Sequence, residues 1–471
     1  MGLSHKATRT ALSAGLDIAI NRANKNQEDG IKDFINIIKK YYKPTDKDKK
    51  KSGTNAFENI AKFTEDPNSK WMRYAKKLFE NVDPKIIKTL MLNLGYEAGY
   101  CGLNKVRETS EKYDCNVPWT MLFDPTSACN MHCKGCWSGE YGEKNNLSFD
   151  DMDSIVTQGK ELGTHMYLLT GGEPLVRKND IVKLAKKHSD CIFHCFTNGT
   201  LVDEKFCQDM LECRNIILAI SLEGFEDQND FRRGRGCFDK VMNAMDLLRK
   251  YKLAFGTSVC WTSKNCETVI SDEFLKLLVD KGCLWAWYFH FMPVGEYTTN
   301  ELIPTPAQRE YMLKTLRRKR KENNDHLIVM LDFQNDGEYV GGCIAGGKHF
   351  LHINSNGDVE PCVFIHYSTA NIHKDTLLEA LQQPLFMQYR KHQPFNENMF
   401  RPCPMLENPT FLPQMVKEAN AKSTDLEAPE EASHLVDKTV EYSKAWAPVA
   451  ARLWKERVKE KEDRKKVRLD A

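Results

Sequence analysis

From Pro118 to Phe291 the chain alternates short apolar runs with amphipathic segments, a pattern that admits few folds. The apolar runs are Trp119–Phe123, Met166–Leu169, Ile192–Phe196, Ile216–Ser221, Ala254–Cys260 and Ala286–Phe291. Each is bounded by turn residues, as parallel strands buried on both faces require. Between them Phe149–Leu162, Asp180–His188, Asp203–Glu212, Phe238–Tyr251 and Asp272–Lys281 show helical spacing. Ser148 followed by Asp151 predicts a capped start for the first helix. Six strand–helix units predict an α/β fold, a partial (β/α)6 TIM-like barrel over residues 118–335, with its chemistry in the loops at the C-terminal strand ends.

Residues 1–117 predict a helical region. Ile31, Phe34, Ile35, Ile38, Tyr41 and Tyr42 share a helical face, and a second helical block runs from Trp71 to Leu103. Lys39–Lys51, Lys-dense with Pro44, predicts a polar linker. Residues 336–410 predict a small C-terminal domain. Gly-rich at first, it continues into a hairpin of His349–Ile353, the Asn356-Gly357 turn and Val359–Cys362. Residues 411–471 predict a polar helical tail, with the mixed-charge run Lys455–Arg468 as a solvated helix.

With 67 Lys and Arg against 65 acidic residues, the formal charge of +2 supplies no field for nucleic acid. The longest apolar stretch, Leu284–Val294, is too short to span a bilayer and holds His290. The opening MGLSHKATRT has no apolar signal core, so a cytoplasmic location is expected. Sixteen cysteines in a reducing compartment divide into metal ligands and small buried hydrophobes rather than disulfides.

After the first predicted strand come Cys129, Cys133 and Cys136, spaced C-x3-C-x2-C, with no further cysteine until Cys191. Three soft thiolates suit a cubane cluster and leave one iron free. A structural zinc site wants four closed ligands, and His132 lies awkwardly inside the loop for that role. The second strand ends in Thr170-Gly171-Gly172-Glu173-Pro174, whose glycines permit close backbone approach and whose carboxylate can accept from an ammonium. The third ends in Thr197-Asn198-Gly199 and the fourth in Ser221-Leu222-Glu223-Gly224.

This set of motifs resembles the radical S-adenosylmethionine (radical SAM) superfamily, over roughly residues 118–410. The resemblance implies a [4Fe–4S] cluster on Cys129, Cys133 and Cys136, with S-adenosylmethionine chelated to the open iron. It also implies reductive cleavage to a 5′-deoxyadenosyl radical that abstracts a substrate hydrogen, with reduced flavodoxin or ferredoxin as electron donor. Gly171 to Pro174 would hold the methionyl amino group, and Thr197, Asn198, Ser221 and Glu223 the ribose and carboxylate. Arg232, Arg233 and Arg235 are either partners of that carboxylate or solvated loop charges, and Ser258 is either a contact or a backbone-bonded strand serine. One departure stands out: the position before the third cysteine is often aromatic in the family and is Gly135 here.

Cys343, Cys362 and Cys403 are the remaining cysteines after Cys283, and the Cys343–Cys362 segment with Gly357 resembles a SPASM or twitch extension. The full SPASM pattern has more cysteines, so a single auxiliary [4Fe–4S] cluster is expected, its fourth ligand a substrate atom or a distant residue such as Cys260, Asp358 or His366. The other cysteines, Cys191 and Cys195 included, are expected to be packing thiols. Trp285, Trp287, Tyr288, Phe289, Phe291 and Met292 are expected in the barrel core, lining an apolar substrate pocket if part of that strand faces the cavity. The substrate class is left open between peptide, lipid and small molecule. The alternative reading is a non-catalytic iron–sulfur electron carrier or a zinc-binding protein, neither of which calls for a Gly-Gly-Glu-Pro strand end.

Overall fold

The computed structural model describes residues 3–41, 65–138, 145–295, 298–426 and 428–469. Its centre is a nine-stranded sheet ordered β7-β6-β5-β4-β3-β2-β1-β8-β9. The six expected strands are present as β1 (Thr120–Phe123), β2 (Met166–Leu169), β3 (Ile192–Thr197), β4 (Ile216–Ser221), β5 (Phe255–Trp261) and β6 (Trp285–His290). All pair in parallel with their neighbours. Between them the expected helices appear within two residues of their sequence-based ends, and Ser148 and Asp151 form a reciprocal capping box on Phe149–Leu162.

The sheet extends beyond six strands at both ends. Past β6 lies β7 (Val329–Asp332), parallel to β6 and overlapping the apolar run Leu327–Leu331, which lies outside the six expected strands. At the other end β8 (Phe350–Ile353) pairs in parallel with β1, Thr120 opposite Phe350, and β9 (Val359–Glu360) returns antiparallel. The expected hairpin is therefore real, but one of its arms is also a strand of the main sheet. That junction sets the C-terminal cysteine segment against the strand that launches the Cys129 loop.

The helical N-terminal region closes the N-terminal ends of the strands. Asn93 donates to Ser189 and Cys191 carbonyls just before β3, and the Trp119 indole donates to Ala98 just before β1. The segment Met91–Gly102 is a π-helix, pinned by Glu97, which bonds His5 at 3.0 Å and pairs with Arg9 at 3.3 Å. The predicted linker Lys39–Lys51 begins inside the helix Gln27–Tyr41, and residues 42–51 lie outside the described residues.

The tail is helical over Phe411–Ala419 and Ala432–Leu469. The run expected to be solvated is partly docked: Arg457 is tucked at 3.0 Å from the buried Glu338, and Lys461 at 2.7 Å. A second apolar core gathers Tyr389, Phe395, Phe400, Met405, Leu412 and Trp446 around the C-terminal cysteines. Among the described residues no helix is long and apolar enough to cross a membrane.

Candidate functional site

The loop leaving β1 carries Cys129, Cys133 and Cys136, and the loop leaving β2 is laced onto it. Gly172 N–H donates to Thr126 O at 3.0 Å and Glu173 N–H to Ala128 O at 2.8 Å. A side chain at Gly172 would place its Cβ 2.2 Å from Ala128 O, and one at Gly171, where φ is +104°, 2.4 Å from Thr126 O. The close approach these glycines permit is thus to the cysteine loop itself, which fixes that loop against the strand ends. Gly135, the departure from the family pattern, has a steric reason. A Cβ there would meet the Phe291 ring at 2.7 Å, so an aromatic from the end of β6 fills the space.

Glu173 is fully buried and accepts from Leu175 N–H (3.0 Å), Thr197 Oγ1 (2.6 Å) and Asn198 N–H (2.7 Å). Burial raises its pKa. A carboxylate has about four acceptor positions, so these three donors clamp β2 to β3 and leave one position open. Asn198 is held by Asn130 and Thr200. Pro174 opens a single 3-10 turn, Pro174–Arg177, and takes no place on the cavity wall.

Two of the three loop arginines are structural ions rather than solvated charges. Arg232 pairs with the buried Glu223 at 3.0 Å, and Arg233 reaches both carboxylate oxygens, 2.8 Å from Oε1. Arg233 also lies 3.9 Å from Cys133 Sγ. Burial pushes the Cys133 thiol up, and the two guanidinium groups oppose that rise. Arg235 is exposed. The expected residues Gly171, Gly172, Glu173, Thr197, Asn198, Ser221, Glu223 and Ser258 line one cavity of about 690 Å³ together with the first cysteine triad.

Cys343, Cys362 and Cys403 line the same cavity. Cys343 precedes β8, Cys362 follows β9, and Cys403 comes from the loop before Phe411–Ala419. Burial pushes Cys343 to about 11 and Cys362 to about 12, and Cys403 well above its ordinary value. Backbone N–H groups oppose this at each sulfur: Ala345 at Cys343, Phe364 at Cys362, and Leu406 at Cys403, the last at 3.4 Å. Met131 does the same for Cys129, which burial raises to about 12. Such donors stabilise the thiolate that a metal ligand must become.

The donor chemistry therefore fits two iron–sulfur clusters. Among the described residues the group close enough to share a single ion is His5, Glu97 and Cys101, not either cysteine triad. That spacing disfavours the zinc reading. The candidates for a fourth auxiliary ligand are all placed elsewhere. Cys260 lies among Arg232, Glu223 and Cys136 at the first triad. Asp358 is held in the hairpin turn by Asn356 and Asn371. His366 bonds Val363 O and meets the Trp137 ring.

Three features escaped the sequence reading. Trp137 stands between the two sites, its ring edge-on to His352 and Phe364. His352 on β8 bridges Asp124, at the root of the first cysteine loop (3.0 Å), and Glu360 on β9 (2.6 Å). Arg309, from the helix Pro306–Lys321, pairs at 2.6 Å with Glu407, which accepts the Cys403 N–H. The ion-pair partners are 98 residues apart or joined by sheet pairing, so no local pattern marks them.

Comparison with known proteins agrees with this geometry. The model of the radical SAM superfamily matches residues 123–263, and that of the SPASM iron–sulfur cluster-binding domain matches 343–405. An AdoMet-dependent heme synthase of Methanosarcina barkeri is 23% identical over 291 residues, 56% of this chain and 82% of that protein. The mycofactocin maturase MftC of Mycolicibacterium smegmatis is 26% identical over 294 residues, 59% of this chain and 74% of that one. In fold, Streptococcus suis SuiB bound to S-adenosylmethionine superposes with a TM-score of 0.52 at 18% identity, over 62% of this chain and 73% of SuiB. The sheet, the cysteine loops and the two matched domains lead to one assignment: the chain carries a radical SAM domain and a SPASM domain, an enzyme of [4Fe–4S] and S-adenosylmethionine chemistry with auxiliary iron–sulfur binding.

Proposed function

We propose that this enzyme reductively cleaves S-adenosylmethionine and abstracts hydrogen from a substrate with an apolar body. The observation that carries the reading is the single cavity of about 690 Å³ bordered by both cysteine triads and by the cosubstrate residues. Cys129, Cys133 and Cys136 hold the cluster at one end, and Cys343, Cys362 and Cys403 hold the auxiliary [4Fe–4S] cluster at the other. When bound, the first cluster and S-adenosylmethionine supply a 5′-deoxyadenosyl radical, the hydrogen-abstracting species.

The protein's residues position and exclude. Glu173 keeps one acceptor position for an ammonium, and Arg232 and Arg233 place two cations where a carboxylate can compete with Glu223. Ser221 at the end of β4 and Ser258 within β5 offer hydroxyls from neighbouring strands, paired in register. Trp287, Phe289, Phe291, Met292 and Phe364 wall the space between the triads, excluding water from a reactive species. That lining favours an apolar substrate, whether lipid, apolar peptide segment or small molecule. SuiB, the fold neighbour, has been crystallised bound to a precursor peptide. Domains at 1–117, 118–335, 336–410 and 411–471, a flavodoxin or ferredoxin donor and a cytoplasmic location complete the proposal.

The test is anaerobic reconstitution followed by incubation with dithionite and S-adenosylmethionine. Roughly eight irons per chain and formation of 5′-deoxyadenosine, both reduced by Cys129→Ala, are expected. A fully iron-loaded protein that forms no 5′-deoxyadenosine refutes the reading.

A further inference from the structure

Tyr389 sits on the helix Pro384–His392, fully buried, and its hydroxyl has no hydrogen-bond partner. A buried hydroxyl left unpaired is destabilising, so a packed interior normally supplies an acceptor. The side chain is wedged in place. Gly346 carries no Cβ because one would stand 2.5 Å from Tyr389 Cβ, and Phe395 meets the Tyr389 ring edge-on at 5.4 Å. The groups acting electrostatically on the hydroxyl are the thiols of Cys343, Cys362 and Cys403, and all four residues line the cavity. The carboxylate nearby, Glu407, is already taken by Arg309 and the Cys403 N–H.

We propose that Tyr389 donates its hydroxyl hydrogen bond to a sulfur of the auxiliary cluster held by Cys343, Cys362 and Cys403, and so raises that cluster's reduction potential. A donor at sulfur stabilises the reduced, more negative cluster over the oxidised one. The surrounding Leu385, Phe395 and Met405 disfavour a phenolate, so the group acts as a neutral donor and not as an iron ligand. Tyr389 is thus a positioning and tuning residue for electron flow at the distal end of the cavity.

The inference rests on the proposed auxiliary ligands, and the two fail separately. In the full chain carrying Cys129→Ala, Cys133→Ala and Cys136→Ala, about four irons should remain. If Cys343→Ala or Cys362→Ala leaves that number unchanged, the ligand assignment falls. In the same background, Tyr389→Phe is expected to keep its iron and to lower the midpoint potential in an EPR-monitored redox titration. A tenfold shift of the one-electron equilibrium corresponds to about 59 mV. Site-specific fluorotyrosine at position 389, a stronger donor of nearly the same shape, is expected to move the potential upward. Unchanged potentials at full iron overturn the proposal. Iron loss in Tyr389→Phe with retention in the fluorotyrosine protein also overturns it, because it makes the oxygen a ligand.

Discussion

Replacing Arg309 by Met removes a cation whose partners are all buried. Arg309 and Glu407 are both 0% exposed, with Nη1 2.6 Å from Oε1. The guanidinium also donates to Asn335 Oδ1 (2.9 Å), the Tyr442 hydroxyl (3.2 Å) and Phe400 O (3.3 Å), and lies 4.4 Å from the Trp446 ring centroid. Met keeps the apolar stem and most of the side-chain volume, so the larger part of the cost is electrostatic. Breaking a buried pair from one side costs about 3–5 kcal/mol. Glu407 can escape by protonating, since burial already raises its pKa and Arg309 is the chief opposing charge. Without Arg309 the folded-state pKa climbs further above the unfolded value of about 4.3. A raised carboxyl pKa means the folded state retains the proton, so its stability is fullest below the unfolded pKa and declines as pH rises. The decline is about 1.4 kcal/mol per pH unit until the folded pKa is passed. Urea unfolding of the cluster-free chain should therefore show a larger Arg309→Met penalty at pH 8 than at pH 5.5, and adding Glu407→Gln should erase the difference. Because Glu407 holds the Cys403 N–H, the variant should also load about four irons instead of eight. A penalty under about 1 kcal/mol at pH 8, equal to that at pH 5.5, refutes the reasoning.

Gly172→Ala forces its Cβ onto Ala128 O and Ser127 O, at 2.2 and 2.4 Å, both backbone atoms of the cysteine loop. Iron bound by the first triad should be lost, read as a fall to about four irons and loss of 5′-deoxyadenosine formation. Gly135→Ala should impair cluster loading through the Phe291 ring, and Phe291→Ala should restore it in the double variant; failure of that rescue removes the steric explanation. For His352, burial lowers the pKa, but the charges of Asp124 and Glu360 prevail and raise it to about 10. A raised histidine stabilises the fold fully below its unfolded pKa of about 6.5 and loses that contribution as pH rises through 10. The stability gap between the natural chain and His352→Gln in urea should thus be several-fold larger at pH 6.5 than at pH 10, and a gap independent of pH contradicts the bridged imidazolium.

The six central strands and their helices were legible because each announces itself within a few residues, by an apolar run or a 3.6-residue stripe. The two cysteine triads and the strand-end polar groups were legible for the same reason, their spacing being local. β7 carries the same local signal, the apolar run Leu327–Leu331, although no strand was assigned to it. Two things were not legible. β8 could be read as a hairpin arm, because its parallel partner, β1, lies more than 200 residues earlier. The ions that support the sites, Arg309 with Glu407 and His352 with Asp124, meet only when distant elements pack.

Position 135 joins these two kinds of information. In the sequence, a glycine where relatives place an aromatic reads as something missing from the first site. In the fold, the aromatic is supplied by Phe291, from the end of the sixth strand, whose ring occupies the very space a side chain at 135 would need. Gly135 and Phe291, 156 positions apart in the chain, thus share one space, and a side chain at either sets what the other can be. A loop motif of this kind therefore has to be read with the strand end that faces it. The same holds for the auxiliary site, where Tyr389, the hydrogen-bond donor proposed for the cluster, belongs to a helix that carries none of the three cysteines.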